Sequence, residues 1–245
     1  MKFFKTPSPY ILFALLIAQF LATAMVQNVW AQESSLSQTE KAAFAFHKLT
    51  NQTPQFQKLI EQTPLFKNEE SMFERQQIFD REILRLKQEF KEFEPSENYL
   101  SINTDINLQL RTDSKTPTLN FKFTNSQAAE TPYFPYPFGE EWIAAIAQNL
   151  NKFAALPLTK AQYKKVRGVF EFRKIYDGEL NLELRPIAAK ASQPLIIEGA
   201  AQWPLLTDIA LLEFVYLNPK TQQKETLVSY KADWHRTETV TQNID

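Results

Sequence analysis

Leu100-Ser101-Ile102-Asn103-Thr104-Asp105-Ile106-Asn107-Leu108-Gln109-Leu110 alternates between apolar and polar side chains almost without interruption. Successive side chains of a β-strand point to opposite faces, so this stretch reads as a strand with one face in a core and one in water. Asp113-Ser114-Lys115-Thr116-Pro117 supplies turn chemistry. Leu119, Phe121 and Phe123 then alternate with polar neighbours, giving an antiparallel partner. The fold is therefore built around a hairpin.

Downstream, the pattern predicts more strands. Phe170 and Phe172 precede Leu180, Leu182 and Leu184. Pairing apolar with apolar requires a three-residue loop, Tyr176-Asp177-Gly178, with Gly178 left-handed in a bulge. Residues 194–200 read as a short buried strand centred on Leu195-Ile196-Ile197. Residues 211–217 are apolar on both faces, as a central strand is. Val228, Tyr230, Ala232 and Trp234 alternate with polar residues in a last strand.

Between the two β regions runs Pro132-Tyr133-Phe134-Pro135-Tyr136-Pro137-Phe138-Gly139. Its prolines cannot donate to a ladder, so a central strand is excluded and an aromatic loop is predicted. Trp142, Ile146, Leu150 and Phe153 recur as one side of a helix over 140–153. Thr159 and Gln162 are spaced as a capping box for a short helix reaching Val166.

Upstream of the hairpin the period is helical. Ala42, Phe46 and Leu49, then Phe56, Leu59 and Ile60, mark two short helices interrupted at Pro54 and Pro64. A longer helix is predicted over 68–94, with Asn68 as its cap and Glu69 and Glu70 in its first turn. Met72, Phe79, Leu86 and Phe93 are seven apart, with Ile83 and Phe90 on the alternate seam. That spacing suits either a core-facing stripe or helix-mediated self-association.

The predicted class is α+β: N-terminal helices followed by an antiparallel β-sheet or sandwich with a helical insertion. The expected organisation is a signal peptide at 1–31, a helical segment at 32–97 and a β-rich domain at 98–236. The insertion covers about 140–166, and a polar tail at 237–245 is expected to fray. The leader reading rests on Lys2 and Lys5, an apolar run over 10–26 and small residues Val29 and Ala31 before a polar start. Gln19 and Thr23 interrupt that run, which is near the lower limit for a span of roughly 17 residues. Cleavage at 31 is expected, and no span after it. An exported, periplasmic or extracellular protein follows.

Composition narrows the chemistry. The chain has no Cys, so disulfides, thiol nucleophiles and thiolate metal sites are excluded. The 27 basic residues against 28 acidic ones offer no concentrated basic surface for nucleic acid. There are 4 Gly, where an average chain of this length carries about 17. Isolated as they are, they form no phosphate-cradling loop, and no cofactor is expected. His47 and His235 are the only histidines, and no calcium-loop pattern appears, so no metal is expected.

Tyr133, Phe134, Tyr136 and Trp142 are the candidate ligand-binding residues, since stiffened aromatics bury area at little entropic cost. Glu140 and Glu141 lie beside them and could serve a hydrolase of cell-wall polymer, although adjacent carboxylates point apart. Asp233 and His235 would share one face of a strand. His47, in an amphipathic helix, reads as a surface or helix-packing residue. The sequence thus favours an exported binding or structural module of a bacterial envelope, with no catalytic residue assigned. Its partner would be an envelope protein or a glycan. Alternatives are a carboxylate hydrolase and a scaffold joined through Met72, Phe79, Leu86 and Phe93.

Overall fold

The computed structural model describes residues 36–113, 115–124, 132–138, 141–171, 175–197, 199–218 and 221–235. The expected leader, the tail, Glu140 and Phe172 lie outside them. The fold is α+β, with N-terminal helices leading into a large curled sheet of mixed direction.

Helix α1 (Gln38–Leu49) starts at a complete capping box: Ser37 accepts from the Glu40 amide while Glu40 accepts from the Ser37 amide. Helix α2 (Phe56–Gln62) and one turn of α3 (Pro64–Lys67) follow. Helix α4 spans Met72–Glu92 and is capped by Ser71, whose hydroxyl accepts from the Glu74 amide. The expected cap at Asn68 is therefore three residues early: Asn68 closes α3 instead, in right-handed helical conformation.

α1 is a middle layer. Ala42, Ala43, Phe44, Ala45, Phe46 and His47 are consecutive and all buried, so this helix is enclosed on every side. Its three alanines let both neighbours approach closely. On one side Phe44 meets Phe56, Phe90 and Phe93 edge-on, at centroid separations of 6.2, 5.1 and 5.6 Å. On the other side Phe46 and His47 meet the sheet through Trp203 and Phe138. The heptad seam of α4 divides accordingly. Leu86 and Phe93 are buried in the chain's own core, while Met72 stays exposed, as do Phe73 and Leu84 beside the seam. Glu40, Glu82 and Glu89 converge on Arg85, which ties α4 to α1.

The sheet runs in the order β3 (Tyr133–Phe138), β4 (Glu141–Ala147), β8 (Ala200–Leu217), β6 (Ile175–Ala189), β1 (Leu100–Arg111), β2 (Thr118–Phe123), β5 (Ala155–Pro157), with β7 (Leu195–Ile197) and β9 (Lys224–Lys231) also paired to β8. Strands β1 (Leu100–Arg111) and β2 (Thr118–Phe123) form the predicted hairpin, Leu108 opposite Phe121 and Leu110 opposite Leu119. Strand β6 (Ile175–Ala189) pairs antiparallel with β1, placing Leu180, Leu182 and Leu184 against Thr104, Ile102 and Leu100. The central strand β8 (Ala200–Leu217) pairs with β6 along its length. Strand β9 (Lys224–Lys231) completes its distal half.

Phe121 on β2 and Phe214 on β8 are three strand spacings apart, about 14 Å in a flat sheet. Their ring centroids nevertheless lie 5.3 Å from each other. The sheet therefore curls on its inner face. Phe123 also reaches Phe134 on the far edge at 6.4 Å. One curled sheet replaces the sandwich alternative.

Five local expectations are corrected. The loop Tyr176-Asp177-Gly178 does not exist as a turn: β6 runs straight through it, with Gly178 opposite Ile106 and Tyr216. Phe170 caps α5 (Lys160–Val169) and is not in a strand. A Cβ at Gly178 would meet Leu108 Cδ1 and the Val215 carbonyl, each at 2.8 Å, so this glycine answers to close packing rather than to a left-handed turn. The predicted helix over 140–153 is strand β4 (Glu141–Ala147) followed by a 3-10 turn, Leu150–Phe153. Its apolar side chains fit both periods, and burial of Ile143, Ala144 and Ala145 between sheet neighbours decides for strand. The aromatic-Pro stretch is strand β3 (Tyr133–Phe138), at the sheet edge, where missing ladder donors are tolerated. Strand β7 (Leu195–Ile197) is present, but Ile196 is exposed, not buried. The predicted short helix does form as α5, with the Thr159–Gln162 capping box complete. Between the 3-10 turn and α5 the short strand β5 (Ala155–Pro157) pairs with β2.

Candidate functional site

Strand alternation decides where the expected contact residues go. β3 pairs antiparallel with β4, Tyr136 opposite Ile143 and Pro137 opposite Trp142. Phe134, Tyr136 and Phe138 consequently share the inner face, and Tyr133, Pro135 and Pro137 share the outer one with Trp142. Tyr136 is buried, and that burial pushes its phenol up to about 12. Tyr133, Phe134, Tyr136 and Trp142 do not form one surface. Only Trp142 among them is prominently exposed, on the outer face.

The inner face yields a different site. β4 and β8 pair in parallel, with Ile143 opposite Trp203, so Glu141, Ile143 and Trp203 project to the same side as Phe138. The end of α1 and the chain entering α2 lie over them. Between these elements is a cleft of about 460 Å³ lined by Phe46, His47, Phe138, Trp203, Glu141 and Lys58, among others. Gln52, Thr53 and Gln55 form its polar rim.

Each part has a local cause. The chain leaves α1 through Asn51, which sits in left-handed conformation (φ 55°) as asparagine tolerates. The Gln52 amide donates to the His47 carbonyl at 2.8 Å, which folds the polar rim back over the helix end. Trp203 is fixed from both sides: its Nε1 donates to Glu141 Oε2 at 3.2 Å, and its ring lies 6.2 Å from Phe46. An indole oriented by a carboxylate presents a defined apolar plate to the cleft.

His47 is the unusual member. It is 8% exposed, and its ring meets Phe46 and Phe138 at 5.4 and 5.2 Å. Neither ring nitrogen has a hydrogen-bond partner among the described residues. Burial pulls the imidazole down from 6.5 to about 4, so the ring is neutral across the ordinary pH range. Of the cleft's charged side chains, Lys58 and Glu141 offset each other.

The second histidine takes part elsewhere. His235 Nε2 and Glu183 Oε2 are 2.6 Å apart, and Tyr99 stacks on the imidazole at 5.4 Å. Arg185 lies over Trp234 at 3.6 Å and bridges to Asp208 at 3.2 Å. Asp233 is in a turn and not in a strand with His235, so the expected face-sharing pair does not form. This cluster fastens the last described residues to the outer face. Strand pairing places Glu183 and Arg185 there; no sequence pattern links them to position 235.

Among the described residues, no group of three or more His, Asp or Glu side chains is placed to hold a metal ion. Nor is any described helix long and apolar enough to cross a membrane. Comparison with known proteins adds no family: no family model matches the chain, and neither the curated proteins nor the solved structures contain a match.

Proposed function

We propose that this chain is an exported, non-catalytic binding module of a bacterial envelope that takes its ligand in the Trp203–His47 cleft. The observation that carries the binding part is the cleft itself. A concavity of about 460 Å³ combines aromatic walls with a few polar groups, the usual make-up of sites that take small ligands, which span about 300–1,000 Å³. Export rests on the leader pattern over residues 1–31.

The hydrolase alternative is less well supported by the same geometry. Acid–base hydrolysis of a glycoside calls for two carboxyl groups across the scissile bond. Glu141 is the one carboxylate in the described lining, and it is engaged by Trp203. The scaffold alternative is weakened because Leu86 and Phe93 are already buried within the chain.

The test is capture from an envelope extract, with peptidoglycan sacculi in a parallel tube. The wild-type protein is expected to retain a component that Trp203→Ala loses while the variant still unfolds cooperatively on heating. Equal capture by both proteins would remove the cleft from the proposal.

A further inference from the structure

Resting on the binding reading above, we infer that the cleft is built for a short uncharged saccharide, with one sugar ring on the Trp203 plate and its hydroxyls on the Gln52–Gln55 rim. Four observations lead there: two match a sugar, and two remove competing ligand classes.

The plate comes first. Trp203 is half-buried, flanked by Phe46 and braced through its indole nitrogen by Glu141. A sugar ring carries a face of C–H groups that covers an aromatic plane, while its hydroxyls point outward to polar partners. Bracing holds the plate in place before the ligand arrives, so less side-chain entropy is lost on binding. The rim supplies the matching groups. Gln52, Thr53 and Gln55 present two amides and a hydroxyl, each able to donate and to accept, within four positions of chain. A hydroxyl also donates and accepts, so the two sets are complementary without charge.

Charge excludes the ionic alternatives. A phosphate or carboxylate ligand needs converging cations, and Lys58 is the one cationic side chain in the described lining. A cationic ligand is favoured by several converging carboxylates, and Glu141 is the one carboxylate in the described lining. Buried and wedged between aromatic rings, His47 adds no charge at neutral pH.

Peptide binding by strand addition is blocked at the adjoining edge. β3 is the edge strand beside the cleft, and Pro135 and Pro137 remove two of its donors. An extended peptide gains affinity from main-chain hydrogen bonds to such an edge. Here the ladder is interrupted at alternate positions.

The experiment uses the indole N–H signal of Trp203 in the purified protein, identified by its loss in Trp203→Phe. The probes are a trimer of glucose, a trimer of N-acetylglucosamine and trialanine. At least one sugar trimer is expected to move that signal in a dose-dependent way, with trialanine leaving it in place. Gln52→Ala and Gln55→Ala, on the exposed rim where folding is not at stake, should each weaken binding about fivefold to tenfold, the usual worth of one hydrogen bond. The saccharide assignment is overturned if neither trimer moves the signal, or if both rim variants bind as the wild type does. A signal moved by trialanine alone also overturns it. Capture from envelope extract separates the two levels. Retention that depends on Trp203, with no response to either trimer, overturns the sugar and leaves the binding reading standing. Retention that ignores Trp203 brings down both.

Discussion

The two halves of the sheet are put together differently. Along β1 and β6 apolar and polar residues alternate regularly, the distal part of β8 is apolar on both faces, and Leu108, Leu180, Leu182, Leu212 and Phe214 are fully buried or nearly so. Around β3, β4 and the proximal part of β8, prolines enter β3 at Pro135 and Pro137 and β8 at Pro204, and burial along β4 and the start of β8 does not alternate regularly. A buried histidine whose ring nitrogens have no hydrogen-bond partner among the described residues sits above them. The first half is organised to be stable. The second gives up some regularity and holds the cleft. The proposed site lies where the sheet is least regular, because a cleft needs polar groups that a close-packed inner face would not accept.

The contrast is breakable. Phe214→Ala, in the regular half, should cost about 3–5 kcal/mol in urea unfolding, whereas Phe134→Ala on the half-buried edge should cost about 1–2 kcal/mol, since it loses fewer contacts. Equal costs would mean that the edge is as much core as the centre. Next in size is Gly178→Ala. The new methyl would meet the Val215 carbonyl and Leu108 at 2.8 Å, and overpacking of that kind costs about 1–3 kcal/mol. An unchanged midpoint would show that β6 and β8 can part locally without penalty.

Acid titration sharpens the other side. His47 ionises near its ordinary 6.5 when unfolded and at about 4 when folded. The unfolded chain therefore binds the extra proton first, and stability falls as pH drops from 6.5 towards 4. Above 6.5 this contribution is fully present. His47→Leu should flatten the stability profile in that window while leaving the rest of the acid limb, which belongs to carboxylates such as Glu82 and Glu179, in place. A profile identical to wild type would mean that the imidazole is hydrated in the fold. The smallest effect is expected on the outer face. Glu183→Gln removes the charged partner of His235 and should cost about 0.2–1 kcal/mol by thermal melting, because that pair is partly open to solvent.

The regular half was legible because its information is local. Period-two alternation over residues 100–110 and 119–123 gave both strands and the faces they bury, since a one-residue slip would turn Leu108 and Phe121 to water. Capping chemistry was local too: Thr159 and Gln162 announced α5. The cleft was not legible, because it is assembled from sites far apart in sequence. Trp203 meets Glu141 only because β8 runs parallel to β4, and nothing in either stretch predicts that pairing. Residues 141–147 misled because Trp142 and Ile146 are four apart, which satisfies a helix, while alternation along the same residues satisfies a strand. Gly178 misled for a related reason. The dipeptide Asp177-Gly178 is a strong turn signal, and tertiary crowding against Leu108 and Val215 is an equally good reason for a missing side chain.

The prolines of β3 have a consequence beyond the site they border. Pro135 and Pro137 are two positions apart, so both missing N–H groups belong to the same side of the strand. In edge strands that side faces solvent. A neighbouring molecule would find acceptors there without donors, and a sheet cannot be copied onto a template that answers only half of each exchange. Crowded copies of this protein are thus discouraged from joining edge to edge along β3. The same two rings that stiffen the strand keep one molecule's sheet from continuing into the next.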